Sequence, residues 1–248
     1  PFTITATATD DDGGTDTATT DVTVNNVAPA VVLNAVDGIV ENGVATLSGT
    51  VTDAGAADTI ASVEVDWGDG TVETVSVTDG AFNATHTYLD DNPTATASDT
   101  YTIEVTAVDP DDPTVVATET TAVTVSNVAP TLSLALDPTT ITENGATELT
   151  VTVTDPGTAD TFTVDIDWGD GSVVETVNLE ASASGTQTFA LTHTYADTTG
   201  TPFTITATAT DDDGGTDTAT TDVTVNNVAP AVVLNAVDGI VENGVATL

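Results

Sequence analysis

The run VEVDWGDGTVETV at residues 63–75, followed by THTY at 85–88 and TYTIEVTAVD at 100–109, decides the fold. Val63, Val65 and Trp67 fall on one face of an extended chain, and Glu64 and Asp66 fall on the other, because successive strand side chains point to opposite sides. Gly68-Asp69-Gly70 then turns the chain: glycine accepts positive φ, and aspartate bonds its own backbone. Trp67 ends an inward-facing series, so core packing explains it better than ligand stacking. The pattern returns at Val164, Ile166 and Trp168, with Gly169-Asp170-Gly171 as the turn.

Working outward, period-two alternation continues. Tyr101, Ile103, Val105 and Ala107 share a face, as do Phe203, Ile205, Ala207 and Ala209, and Leu149, Val151 and Val153. Thr supplies 57 residues; its β-branch favours extended backbone, and its hydroxyl suits a wet sheet face. Turn signals such as Asp-Gly and Asn-Gly recur between these runs, and no segment carries a helical apolar stripe. The expected fold is all-β: tandem immunoglobulin-like antiparallel sandwiches of about seven strands, strung as a linear array. In the first complete unit, strands are expected near 31–36 (A), 45–53 (B), 60–67 (C), 71–77 (C′), 82–88 (E), 100–108 (F) and 115–125 (G).

The chain repeats itself. Residues 1–47 and 202–248 are identical, and Asn-Val-Ala-Pro recurs at Asn26–Pro29, Asn127–Pro130 and Asn227–Pro230. This divides the chain into the last strands of a B-type unit (1–29), a complete A-type unit (30–129), a complete B-type unit (130–229) and the first strands of another A-type unit (230–248). Neither end piece can bury a core alone, so the natural polypeptide is expected to continue in both directions.

Composition excludes several functions. There are 40 Asp and Glu residues and no Lys or Arg, giving a formal net charge of -40. Nucleic acid and anionic membrane surfaces both need a basic footprint that this chain lacks. No apolar run is long enough to span a bilayer. With no Cys there is no disulfide framework. Stiffness must come from packing, backbone pairing or bound metal.

The ordered set Trp67-Gly68-Asp69-Gly70, His86-Thr87-Tyr88 and Tyr101–Val105 resembles the PKD (polycystic kidney disease) domain. Trp168-Gly169-Asp170-Gly171, His193-Thr194-Tyr195 and Phe203–Ala207 repeat it. The Asn-Val-Ala-Pro linker and the Glu-Asn-Gly segment resemble tandem arrays in large bacterial surface proteins. The resemblance implies immunoglobulin-like sandwiches in an extracellular or cell-surface protein, without fixing a function. The segment Leu89–Asp99 is longer than in simpler members and receives no role.

His86 and His193 stand at one equivalent position per unit, with no second His or Cys near them in sequence, so zinc and a catalytic triad are both poorly supported. A structural hydrogen bond near the following Tyr is the better reading. Asn83-Ala84-Thr85 matches a glycosylation acceptor but lies in an expected strand.

The acidic loops carry the main functional expectation. In an immunoglobulin-like sandwich the B–C and F–G loops lie at the end where the chain enters. They hold Asp53, Asp58, Asp109 and Asp111 in one unit and Asp155, Asp160, Asp211 and Asp213 in the next. The linkers add Asn127 and Asn227, and the A–B loops add Glu41-Asn42 and Glu143-Asn144. Hard oxygen donors of this kind suit Ca²⁺, so calcium is the expected cofactor at inter-domain junctions. The competing reading is solvated turn-forming Asp on a halophilic surface. No enzyme activity is expected. The expected role is a structural repeat of an extracellular fibre or stalk, whose partners are adjacent repeats of the same chain. Lateral self-association stays open. An adhesin stalk, a surface-layer component of a halophile and an accessory, polysaccharide-associated module of a secreted hydrolase remain as alternatives.

Overall fold

The computed structural model describes residues 1–55, 59–91, 95–199 and 201–234. The chain divides into two compact units, Pro1–Val128 and Ala129–Leu248. No helix occurs among the described residues, and all regular structure is β.

The first unit begins with a hairpin, β1 (Phe2–Thr9) and β2 (Thr15–Val22), which forms a two-stranded sheet of its own. An immunoglobulin-like sandwich follows, built from β3 (Ala30–Leu33), β4 (Ile39–Val40), β5 (Gly43–Thr52), β6 (Ser62–Asp66), β7 (Val72–Ser76), β8 (Ala81–Tyr88), β9 (Ser98–Val108) and β10 (Val116–Ser126). One sheet has the order β3-β5-β8 and the other β4-β10-β9-β6-β7. The expected strands B to G correspond to β5 through β10. Strand A differs from expectation: it is split. Its first part, β3, pairs antiparallel with β5, whereas β4 has crossed to the facing sheet and runs parallel to β10. The crossing gives each sheet a short edge strand, which limits the row of unpaired backbone groups left on an edge.

The second unit repeats this plan. Its strands are β11 (Thr131–Asp137), β12 (Thr140–Thr142), β13 (Gly145–Thr154), β14 (Phe162–Asp167), β15 (Glu175–Leu179), β16 (Thr186–Tyr195), β17 (Phe203–Asp211) and β18 (Thr216–Asn226). They form sheets β11-β13-β16 and β12-β18-β17-β14-β15.

Alternation places the cores as the sequence requires. In the first unit Leu47, Val63, Val65, Trp67, Ile103, Val105 and Val125 are buried together between the sheets. In the second, Leu149, Val151, Val164, Ile166, Trp168, Ile205 and Val223 occupy the equivalent space. Outward faces carry Thr pairs across neighbouring strands, such as Thr106 with Thr118 and Thr208 with Thr218, at hydroxyl distances of 3.3 and 3.0 Å. Burial therefore supplies the stability, and the Thr ladders dress the wet face.

Leu149 is fully buried among these residues. Leu149→Ala is expected to lower the unfolding free energy by about 2–5 kcal/mol, from lost transfer energy and the cavity left behind. Val173→Ala, at a side chain 90% exposed, should stay within about 0.5 kcal/mol. Denaturant melts of the two variants check the contrast.

Candidate functional site

Two constellations recur in the units: an aromatic cage around each His, and acidic loops at the chain-entry end.

The cage begins at the Trp-Gly-Asp-Gly turn. Gly68 has φ 81°, and a Cβ there would collide with the Thr102 carbonyl oxygen of the neighbouring strand. The turn can thus pass close to β9 only as glycine. Asp69 accepts a hydrogen bond from the Thr71 amide at 2.9 Å, as the sequence reading expects. Its other oxygen does something that reading missed: it lies 2.6 Å from His86 Nε2. His86 stacks on Trp67 with ring centroids 5.0 Å apart and meets the edge of Tyr88 at 4.8 Å. The Tyr88 hydroxyl donates to the Trp67 carbonyl at 2.8 Å. In the second unit His193 lies 2.9 Å from Asp170, stacks on Trp168 at 4.6 Å and meets Tyr195 at 4.7 Å. The Tyr195 hydroxyl donates to the Trp168 carbonyl at 2.9 Å. Trp67 Nε1 donates to Glu73 at 2.9 Å, closing the polar end of the indole.

Burial pushes the Asp69 carboxyl up, but its hydrogen bonds from His86 and Thr71 outweigh that and hold it below the usual range. For Asp170 the same opposition, with bonds from Ser172 and His193, leaves it at about 2. Burial first, and then nearby carboxylates, pushes Tyr101 to about 12 and raises Tyr88 and Tyr195 as well. These tyrosines stay neutral donors in ordinary conditions. Each His is committed to a carboxylate partner and two ring contacts.

The acidic loops are best seen in the second unit. Asp155 follows β13, Asp160 precedes β14, and Asp211 ends β17. All three are buried, and they place one carboxylate oxygen each within 4.8 Å of one another. Asp160, Asp212 and Asp213 form a second trio on the same criterion. Local backbone bonds fix the loops. Asp155 Oδ1 accepts from the Gly157 amide at 2.8 Å, and Asp211 Oδ1 accepts from Gly215 at 2.6 Å and Asp213 at 3.1 Å. Asp212 accepts from the Thr161 amide at 2.9 Å and so ties the two loops together. Asp212 belongs to the F–G run but was not among the expected ligands.

In the first unit Asp53 and Asp109 occupy the matching loops. The expected third member, Asp58, lies outside the described residues. Asp53 Oδ1 accepts from Gly55 at 2.9 Å, while its Oδ2 is buried with no hydrogen-bond partner among the described residues. Asp109 is 1% exposed; it accepts from Asn26 Nδ2 at 2.9 Å and from the Asp111 and Asp112 amides at 2.8 and 3.1 Å. The Asn26 amide is the main reason its carboxyl sits below the ordinary range. Asp111 itself is exposed.

Other expected ligands have identifiable backbone roles. Asn42 and Asn144 take φ 52° and 60°, and their amides donate to the Tyr88 and Tyr195 carbonyls at 2.6 and 2.8 Å. They turn the chain between the second and third strands of each sandwich, a left-handed position that Asn tolerates. Glu41 is 1% exposed, and one of its oxygens accepts from the Val128 amide at 2.7 Å. Glu143 does the same for Val228 at 3.4 Å. Each Glu-Asn-Gly turn therefore holds the segment that leaves its own unit. The Asn127 amide donates to the Ala97 carbonyl at 3.2 Å, and Asn227 is exposed. In the segment that received no role, Asp90 and Asp91 are 6% and 0% exposed. Their only sequence signal is an Asp-Asp pair in a loop, which is common in this chain.

No protein-family model matches the chain, and no curated protein matches it. Among solved structures, the Yersinia pseudotuberculosis adhesin InvE is similar with 16% identity over 79% of this chain and a TM-score of 0.40. The chain spans 58% of that adhesin's length. DIP-gamma IG1+IG2 is similar with 14% identity, a TM-score of 0.31, and coverage of 80% of this chain and 98% of that one.

The cage gives a pH signature. Asp170 has a folded value of about 2, below the usual carboxylate value, so its contribution is present above about pH 4 and is lost as pH falls through about 2. Asp170→Asn should therefore cost about 1 kcal/mol at pH 7, after solvent screening of this partly exposed pair. That difference from the parent chain should shrink toward zero by about pH 2, read from paired melts. Separately, Gly169→Ala should destabilise the second unit by more than about 1 kcal/mol, because φ is 76° and the Thr204 carbonyl blocks the added carbon.

Proposed function

We propose that this chain is a non-enzymatic structural segment of an extracellular fibre or stalk, built from PKD-type domains and stabilised by Ca²⁺ at the chain-entry end of each unit. The observation that carries the reading is the buried trio Asp155, Asp160 and Asp211, with carboxylate oxygens within 4.8 Å of one another. Like charges this close, out of water, repel strongly. In most proteins a Lys or Arg would answer them; this sequence has neither. A divalent cation does so with the hard oxygen donors it prefers. The buried Oδ2 of Asp53, without a hydrogen-bond partner among the described residues, supports the same chemistry at the matching place in the first unit. Asp109 and Asp211 spend one oxygen on loop amides, which holds the carboxylates in place before any ion arrives.

The non-enzymatic part rests on the histidines. Both are the natural candidates for proton transfer, and both are locked in an Asp–His–Trp–Tyr arrangement that explains them structurally. The acidic surface favours a role outside the cell in which repulsion keeps neighbouring chains from collapsing onto each other.

Melting in calcium, then in chelator at matched ionic strength, tests the metal. Calcium at about one hundred times its dissociation constant should stabilise by about 2.7 kcal/mol. Asp155→Ala combined with Asp211→Ala should abolish the second unit's calcium increment, and leave the first unit's, while keeping a cooperative melt. Superimposable curves with and without calcium would sink the proposal and favour a merely salt-solvated acidic surface.

A further inference from the structure

The strand edges of the second sandwich are not alike. β16 closes one side of the sheet β11-β13-β16 and, among the described residues, pairs only with β13. Its sequence, TQTFALTHTY at Thr186–Tyr195, includes no Asp or Glu. Every other strand of this unit longer than three residues carries at least one. The other edges offer a partner strand less. β15 carries Glu175, and β12 is three residues long. β11 carries Asp137, and its Leu132 amide already donates to Asp217 at 2.7 Å. Charge on an edge strand guards against pairing with another chain, and β16 lacks that guard.

The direction of the β16 backbone follows from bonds at its two ends. The Asn144 amide donates to the Tyr195 carbonyl at 2.8 Å, and the Asp155 amide donates to the Gly185 carbonyl at 2.8 Å. Backbone groups alternate sides along a strand, so the odd-numbered residues face β13, and Thr188, Ala190, Thr192 and Thr194 turn theirs to the open edge. Thr186 agrees: its amide and carbonyl both bond Ser184 Oγ, at 3.3 and 2.7 Å, away from the β13 ladder. The side chains tell the same story. Phe189 and Leu191 pack on the core yet stay half-buried, whereas Leu149, Val151 and Val153 of the neighbouring strand are at most 1% exposed. The equivalent edge of the first unit, β8, also lacks carboxylates, but its Phe82 and Ala84 are already buried. β16 thus combines an outward row of backbone groups with apolar surface still to be covered.

We infer that β16 is a self-association edge, pairing antiparallel with β16 of a second copy of this chain about a two-fold axis at Ala190. A two-fold contact joins the same patch on both copies. Only registers that set odd residues opposite odd residues keep the inward faces of both copies on one side. With Ala190 opposite Ala190, Thr188 meets Thr192, and the outward backbone groups of the two strands face each other. Phe189 of one copy then lies opposite Leu191 of the other, twice. On the outer face, Thr pairs continue the ladder that Thr152 and Thr188 form at 3.1 Å. No carboxylate of one β16 meets one of the other, which decides the partner in a chain with no Lys or Arg to answer it. The one carboxylate of β13, Glu148, stands a strand away, opposite Thr192. A net charge of -40 on each copy opposes their approach, so salt that screens it should favour pairing. The inference goes beyond the fibre reading and uses no metal.

Sedimentation of the full chain over a range of concentrations, in low and high NaCl, with calcium and again with chelator, tests this. A reversible monomer–dimer equilibrium is expected with and without calcium, tightening as NaCl rises. Ala190→Pro should abolish the dimer: its amide faces the open edge, so the monomer keeps its β13 bonds while the edge loses a donor and is blocked. Asn83→Pro, the equivalent change on β8, should leave the dimer unchanged. A chain still monomeric in high NaCl at about 1 mM overturns the inference. So does a dimer that survives Ala190→Pro, one lost equally with Asn83→Pro, or one seen only with calcium, which would be bridged by the ion instead. Amide exchange of the parent chain needs no variant to fold. Thr188, Ala190 and Thr192 should exchange more slowly as concentration rises, with Phe189 and Leu191 unaffected because they already bond β13. Absence of that alternation overturns the inference whether or not calcium binds.

Discussion

Forty carboxylates share a chain with no Lys or Arg, and every level of the structure is arranged around that imbalance. Side-chain ion pairing is available only to the two His, and each takes one aspartate. Many of the remaining aspartates are answered by backbone. Asp10, Asp53, Asp66, Asp69, Asp109, Asp155 and Asp211 all accept amide hydrogen bonds from residues two to four positions ahead. The charge that drives compact states apart is thereby turned into the chemistry that shapes the loops. Where two such loops meet at the end of a sandwich, the burial of Asp160 beside Asp155 and Asp211 is the point at which a cation enters the reading.

The opposing force is apolar packing between the two sheets, and the aromatic cage joins the two problems. Trp67 belongs to the core, yet its partner His86 reaches the turn carboxylate, and Tyr88 returns a hydrogen bond to the Trp67 carbonyl. One charged turn is thus anchored directly to buried aromatic surface. The same three contacts recur in the second unit although the Asp-to-His separation there is 23 residues instead of 17, so the shared fold sets them.

Much of this was legible in advance. Period-two alternation marked the inward faces, and the Gly-Asp-Gly turns marked the hairpins, because both signals act over a few residues. The crossing of the first strand from β3 to β4 was not legible: its two halves are both short and apolar, and only the facing sheet decides where each pairs. The Asp69–His86 contact joins residues 17 apart and was likewise hidden. Glu41 and Asn42 illustrate a subtler gap. They were expected as metal donors on charge and amide chemistry, while the structure also gives them backbone tasks at the turn and toward Val128.

The hairpin of residues 1–26 and its copy at 202–227 separate the two sources of information. Sequence alone determined the strand pairing, the register and the Asp-anchored turn, since both copies share them. Whether Phe and Ile lie in water or in a core was decided only by the tertiary structure, because burial depends on which distant strands arrive at the apolar face. Local backbone bonding is a property of a short stretch of chain; exclusion of water is a property of its neighbours.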